Sequence, residues 1–180
     1  MNVVLNKGVS YAEKNIFSSK SFYPNELVLL PSSSESKVSI FFNILPNKNV
    51  KESIYVKKYI LNKRKIEAVF DRKYVNDMIE SPSHLVFLTS LVHLQKMIYI
   101  YLCYEFGFSI NLTGKENLKI WPTKLNIELP KLITDSKDIV QTIEINSLRK
   151  IDEKTYFGKC KSYINGIPSI KADAIINLLR

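Results

Sequence analysis

Histidine is as scarce as any titratable residue in this chain of 180 residues: there are two, His84 and His93, and both fall between Ser81 and Gly107. Glycine is nearly as sparse at five residues. No G-x-G-x-x-G and no P-loop pattern occurs, so a glycine-lined phosphate cradle is not expected. The two cysteines, Cys103 and Cys160, form neither a disulfide framework nor a CxxC pair, which points to a reducing compartment, the cytoplasm. No metal ligand set and no cofactor is expected. The opening MNVVLNKGVSYAEKN has no long apolar core of the signal-peptide kind. Leu85–Phe106 is long enough to span a bilayer, but Thr89, Ser90, His93, Gln95 and Lys96 lie in its middle. Such polarity is costly in lipid, so the segment reads as buried in protein, with no membrane span.

What is present is ordinary for one globular domain: 46% apolar residues, 24% charged. The net charge of +9 is uneven, with nine basic residues between Lys48 and Lys73 against Glu52, Glu67 and Asp71. A basic surface there could hold phosphates of nucleic acid, of coenzyme A or of an acidic carrier protein. No RRM, helix-turn-helix or zinc-finger spacing accompanies it, so nucleic acid is not the expected partner.

The order of elements is more informative. Tyr11–Phe17 fits a short helix and Glu26–Leu30 a short extended piece. Lys37–Leu45 is ambiguous; Val38, Phe41 and Leu45 fit helical spacing, and a helix stopped by Pro46 is preferred. SIYVKKYILN and KIEAVFDR, joined through NKRK, suggest a hairpin. After the histidine-bearing stretch come four strand-like runs: NLKIWPTKLNIELPK, KDIVQTIEINSLRKI, TYFGKCKSYI and PSIKADAIINLL. Asn165–Gly166 between the last two is a strong hairpin signal, because both residues accept positive φ. Consecutive strands favour antiparallel pairing, and a helix apolar nearly all round must be enclosed. The expectation is therefore an α+β protein of the hot-dog type, an antiparallel sheet wrapped around one long central helix. Residues 1–35 would be an N-terminal extension and 36–180 a single domain, with the helix over about 82–106.

Ser81 suits the cap of that helix, Pro82 its first position and Gly107 its stop. On a projection of about 100° per residue, Leu88, Leu91, Gln95 and Leu102 share a stripe with His84, and Tyr99 lies beside it. Thr89, His93 and Lys96 fall opposite, so His93 is expected at a solvent or dimer boundary. His84 and Gln95 are separated by about 16 Å along the helix axis and would cooperate only across a dimer. The helix N-terminus beside His84 offers free N–H groups to a developing negative charge. Cys160, Ser162 and Tyr163, on a late strand without a visible base, are set aside as structural.

Ser81, His84, the large apolar Leu85, the amide Gln95 and Tyr99 together resemble the corresponding segment of the FcoT-like family of hot-dog proteins. That family comprises long-chain fatty acyl-CoA thioesterases, with relatives that add glycine to an enoyl-acyl carrier protein during lipopeptide synthesis. The likeness covers roughly residues 36–180. It implies an acyl-CoA or acyl carrier protein substrate, a homodimer, and site residues at His84, Gln95 and Tyr99. The chain departs from the family pattern at Val86 and Met78, where asparagine and tyrosine are expected, and at Gln95, where asparagine is expected. The helix also lacks a carboxylate before Glu105, which argues against dehydration, a reaction that pairs histidine with Asp or Glu. Thioester hydrolysis is the leading expectation. Glycine addition to an enoyl thioester and non-catalytic acyl binding are the alternatives.

Overall fold

The computed structural model describes residues 27–31, 36–45, 48–77, 83–110, 117–128 and 130–179. Tyr11–Phe17, Met78, Ser81 and Pro82 therefore lie outside the described residues. In chain order the elements are β1 (Leu27–Leu29), β2 (Lys37–Leu45), β3 (Lys48–Asn62), β4 (Lys65–Asn76), α1 (Phe87–Glu105), β5 (Leu118–Ile127), β6 (Ile139–Lys150), β7 (Thr155–Ile164) and β8 (Ile167–Leu178). Every strand pairing among the described residues is antiparallel.

Alternation sets the faces of the sheet. In β4, Ile66, Ala68, Phe70 and Arg72 are buried while their neighbours are partly or wholly exposed. In β6 the buried set begins Ile139, Gln141, Ile143 and Ile145. Period-two burial of this kind is what a half-buried antiparallel strand requires. The β3–β4 hairpin turns at Lys63–Arg64, with Arg64 at φ 63°. The β7–β8 hairpin turns at Asn165–Gly166, with φ of 48° and 78°, which is the geometry its sequence predicts.

The strands lie in the order β3-β4-β6-β7-β8-β5, with β1 and β2 both paired to β3. The last four strands are thus not a simple meander. The chain leaves the sheet after β4, runs as α1, and re-enters at the far edge beside β8. The helix packs on β2, β3, β4 and β6, and also on β5, so the sheet curls around it. This is the hot-dog arrangement. The core fills the space between helix and sheet, with Tyr59, Phe70, Met97, Ile100 and Ile143 fully enclosed.

Three sequence expectations are corrected. Lys37–Leu45 is a strand, not a helix. Val38 is buried between exposed Lys37 and Ser39, and pairing along β3 overrides an ambiguous local pattern. β1 pairs with β3 and places Leu29 in the core, so the sheet begins within the segment read as an extension. The helix begins at Phe87, well after Pro82, and spans 19 residues. Its N-cap residue, Val86, makes no side-chain cap; the cap comes from elsewhere in the fold. No helix among the described residues is long and apolar enough to cross a membrane.

Candidate functional site

The start of α1 is held by a buried ion pair that spans two strands. Glu52 (β3) and Arg72 (β4) continue the inward phase of their strands, and their side chains are 0% and 1% exposed. Glu52 Oε1 accepts from Arg72 Nη1 at 3.0 Å, and Oε2 accepts from the backbone N–H of Val86 at 3.0 Å. A carboxylate at the positive end of a helix is favourably placed. Arg72 is further committed: Nε donates to the Asp135 carbonyl at 2.6 Å, and Nη2 to the Thr134 carbonyl and Ser83 Oγ. Leu85 N–H donates to the Ile133 carbonyl at 2.7 Å. One guanidinium thus fixes the approach to α1 against segment 133–136.

That approach and residues 130–133, which lead into that segment, form two walls of a cavity of about 110 Å³. His84, Leu85, Phe87, Ser90, Ile133 and Ser169 are among its lining residues. His84 is half-buried in the extended stretch before the helix, with its ring 6.3 Å from that of Tyr74. Because His84 precedes the helix, the projection that aligned it with Gln95 does not apply. Gln95 is exposed and Tyr99 half-buried. Leu88 and Val92 are also exposed, whereas Leu102 is buried, so only the first part of the stripe lies on the open face of α1.

The opposite face is the enclosed one. Thr89 and His93 are wholly buried, against the expectation for His93. The helix is apolar on both sides, so composition could not choose which face the sheet covers. A polar partner made His93 tolerable there: its Nδ1 lies 2.7 Å from Gln141 Oε1. The ring also meets Phe70 edge-on, with centroids 5.3 Å apart. Burial is the main force pushing the His93 pKa down to about 4, with nearby Lys96 adding to it and the Gln141 bond opposing it.

Gln141 extends the polar contacts. Its Nε2 donates to the Ser90 carbonyl at 3.2 Å and to Ser162 Oγ at 3.3 Å. Ser169 Oγ donates to the Ser162 carbonyl at 3.1 Å and lies 3.3 Å from Ser162 Oγ. Helix, β6, β7 and β8 thus share one buried polar chain. A second cavity of about 230 Å³, lined by Asn126, Lys161, Ser162, Ser169 and Lys171 among others, adjoins the first. Glu128, Pro168 and Ser169 line both.

Toward the other half of α1, Ile98, Leu102, Ile145, Leu148, Cys160 and Ile176 line a small apolar pocket of about 30 Å³. Burial raises the Cys160 thiol to about 11, which leaves it protonated and unreactive. Glu105, the one carboxylate on α1, is pushed up by burial and sits at the far end of the helix from His84.

Sequence reasoning missed Glu52, Arg72 and Gln141. The signal was present: each occupies an inward position of an alternating strand, where a polar side chain requires a buried partner.

No family model matches the chain, and no curated protein is similar to it in sequence. Among solved structures it is similar to an HP0420 homologue from Helicobacter felis, with a TM-score of 0.41 and 13% identity, over 66% of this chain and 74% of that one. It is also similar to a mutant of thioesterase PA1618 from Pseudomonas aeruginosa, with a TM-score of 0.41 and 11% identity over 69% and 80% of the two chains. Thioesterase HI1161 from Haemophilus influenzae gives a TM-score of 0.41 and 11% identity over 71% and 80%. Likenesses of this size assign neither a reaction nor a residue to this chain.

Proposed function

We propose that the protein processes acyl thioesters, and that its reaction is hydrolysis of a fatty acyl group carried on coenzyme A or on an acyl carrier protein. The observation that carries this reading is the pairing of two environments along one helix. An imidazole and hydroxyls line the cavity at its start, and an apolar pocket lies against its second half. The carbonyl of a thioester suits the first, and the apolar character of its acyl group suits the second, whose volume is about 30 Å³. His84 takes the proton from a water that attacks the carbonyl carbon; the C–S bond breaks and the thiolate leaves with that proton. Gln95, exposed on α1, takes part from a second copy of the chain, and Tyr99, half-buried against the core, takes part beside it.

Dimerisation is supported by the apolar residues left open. Leu88 and Val92 on α1, with Trp121, Leu125 and Ile127 on β5, are each more than 40% exposed. β5 ends the strand order with one edge unpaired among the described strands, and such an edge invites another strand.

Acyl-CoA and acyl carrier thioesters of graded chain length, supplied with and without glycine, test the reading. Free thiol should appear without glycine. Product formed only with glycine would move the reaction to addition, and retention of acyl thioester without turnover would make the protein a binding module. The apolar pocket adds a prediction at Gly158. A Cβ placed there meets Ile176 Cδ1 at 3.0 Å and Leu148 Cδ1 at 3.7 Å, so Gly158→Val projects into the pocket. Its KM should rise several-fold for long acyl chains and stay unchanged for short ones, as measured by initial rates across the same series.

A further inference from the structure

The buried polar chain behind the two cavities has a fixed direction of hydrogen bonding. A backbone carbonyl only accepts, so the Gln141 group facing the Ser90 carbonyl must be its NH₂. Gln141 Oε1 then faces His93, whose Nδ1 must carry the proton. The second Gln141 N–H goes to Ser162 Oγ. Ser169 shares its one proton between the Ser162 carbonyl at 3.1 Å and Ser162 Oγ at 3.3 Å. Ser162 Oγ accepts from Gln141 Nε2 and, at a long 3.3 Å, from Ser169 Oγ, so its own hydroxyl hydrogen points to neither of them. Ser162 is 1% exposed yet lines the larger cavity.

From this we infer that Ser162 donates its hydroxyl hydrogen to the carbonyl oxygen of the bound thioester, with Gln141 and His93 as positioning residues behind it. The inference rests on the acyl-thioester reading and deepens it by naming the group that stabilises the oxyanion. The Val86 N–H at the start of α1 is already given to Glu52, and Ser162 supplies a donor from the sheet. The carbonyl lodges where the two cavities adjoin, at Ser169. A donor already accepting a bond from Gln141 is a better donor, and Ser162 itself is buried. His93, with its proton on Nδ1, holds the Gln141 amide in the orientation that presents N–H to Ser162.

The test is steady-state kinetics on the best thioester substrate, with thermal melting as a folding control. Ser162→Ala should lower kcat by about 10²-fold, the usual loss for one oxyanion donor, with KM changed little. Ser162→Thr, which keeps the hydroxyl, should recover most of the rate. Gln141→Glu keeps the side chain's size but presents only acceptors to Ser162. It should draw the serine proton away from the substrate and lose as much kcat as Ser162→Ala. A kcat within twofold of wild type in either Ser162→Ala or Gln141→Glu overturns the inference while leaving the thioesterase reading intact. Failure of the wild-type protein to turn over any thioester overturns both.

Discussion

Arg72→Met is expected to destabilise the protein by about 3–5 kcal/mol, the usual cost of removing one partner of a buried pair. The substitution keeps much of the side chain's length and apolar stem. It strands Glu52, whose carboxylate is wholly enclosed, without the cation that compensates its desolvation. The loss extends beyond the pair. The same guanidinium holds the Thr134 and Asp135 carbonyls and Ser83 Oγ, so both walls of the His84 cavity loosen together. Chemical denaturation of wild type, Arg72→Met and the double variant Glu52→Gln/Arg72→Met checks this. The double variant should recover a large part of the loss, because it leaves no buried charge. A single variant within about 1 kcal/mol of wild type, far below the usual cost of a stranded charge, would show that Glu52 finds another partner.

Acid should destabilise the fold through His93. In the folded protein its pKa is held near 4, below the ordinary 6.5, chiefly by burial. The unfolded chain therefore binds a proton that the folded chain refuses, and stability falls as pH drops from 6.5 towards 4. A displacement of this size corresponds to about 3 kcal/mol in full. The buried ring faces Gln141, Phe70 and Tyr59, and Lys96 is the charged group acting on it. His93→Gln removes the titrating group and keeps a hydrogen-bonding side chain. Denaturation at about pH 7.5 and about pH 5 should show a drop in wild type that is smaller by about 2 kcal/mol in the variant. Equal drops would place the acid sensitivity on other groups.

The sheet was more legible in the sequence than the helix's orientation. Alternation in KIEAVFDR, the Asn165–Gly166 turn and the β7 run TYFGKCKSYI each coincide with what is observed. Their signals are local, and the strands they mark are hairpin neighbours. The place of β5 was not local: Leu118–Ile127 joins β8 at the far edge, a pairing that depends on where the helix delivers the chain. The face of α1 was hidden for a different reason. Leucines occur on both sides, with Leu88 exposed and Leu94 and Leu102 buried beside His93 and Met97, so hydrophobicity alone did not choose the inward face. What decided it was Gln141 on β6, far along the chain, giving His93 a partner. The helix start was misplaced because its cap is Glu52, thirty-four residues before Val86.

His84 remains the residue common to the sequence resemblance and to the cavity at the start of α1. The measurement that bears most directly on the account is therefore the rate of thiol release from a long-chain acyl thioester by wild type and by His84→Ala. Loss of a positioned general base costs about 10²-fold or more in rate. The account predicts a fall of at least that size in kcat, with the melting temperature unchanged because His84 is only half-buried. Equal rates in the two proteins would contradict it.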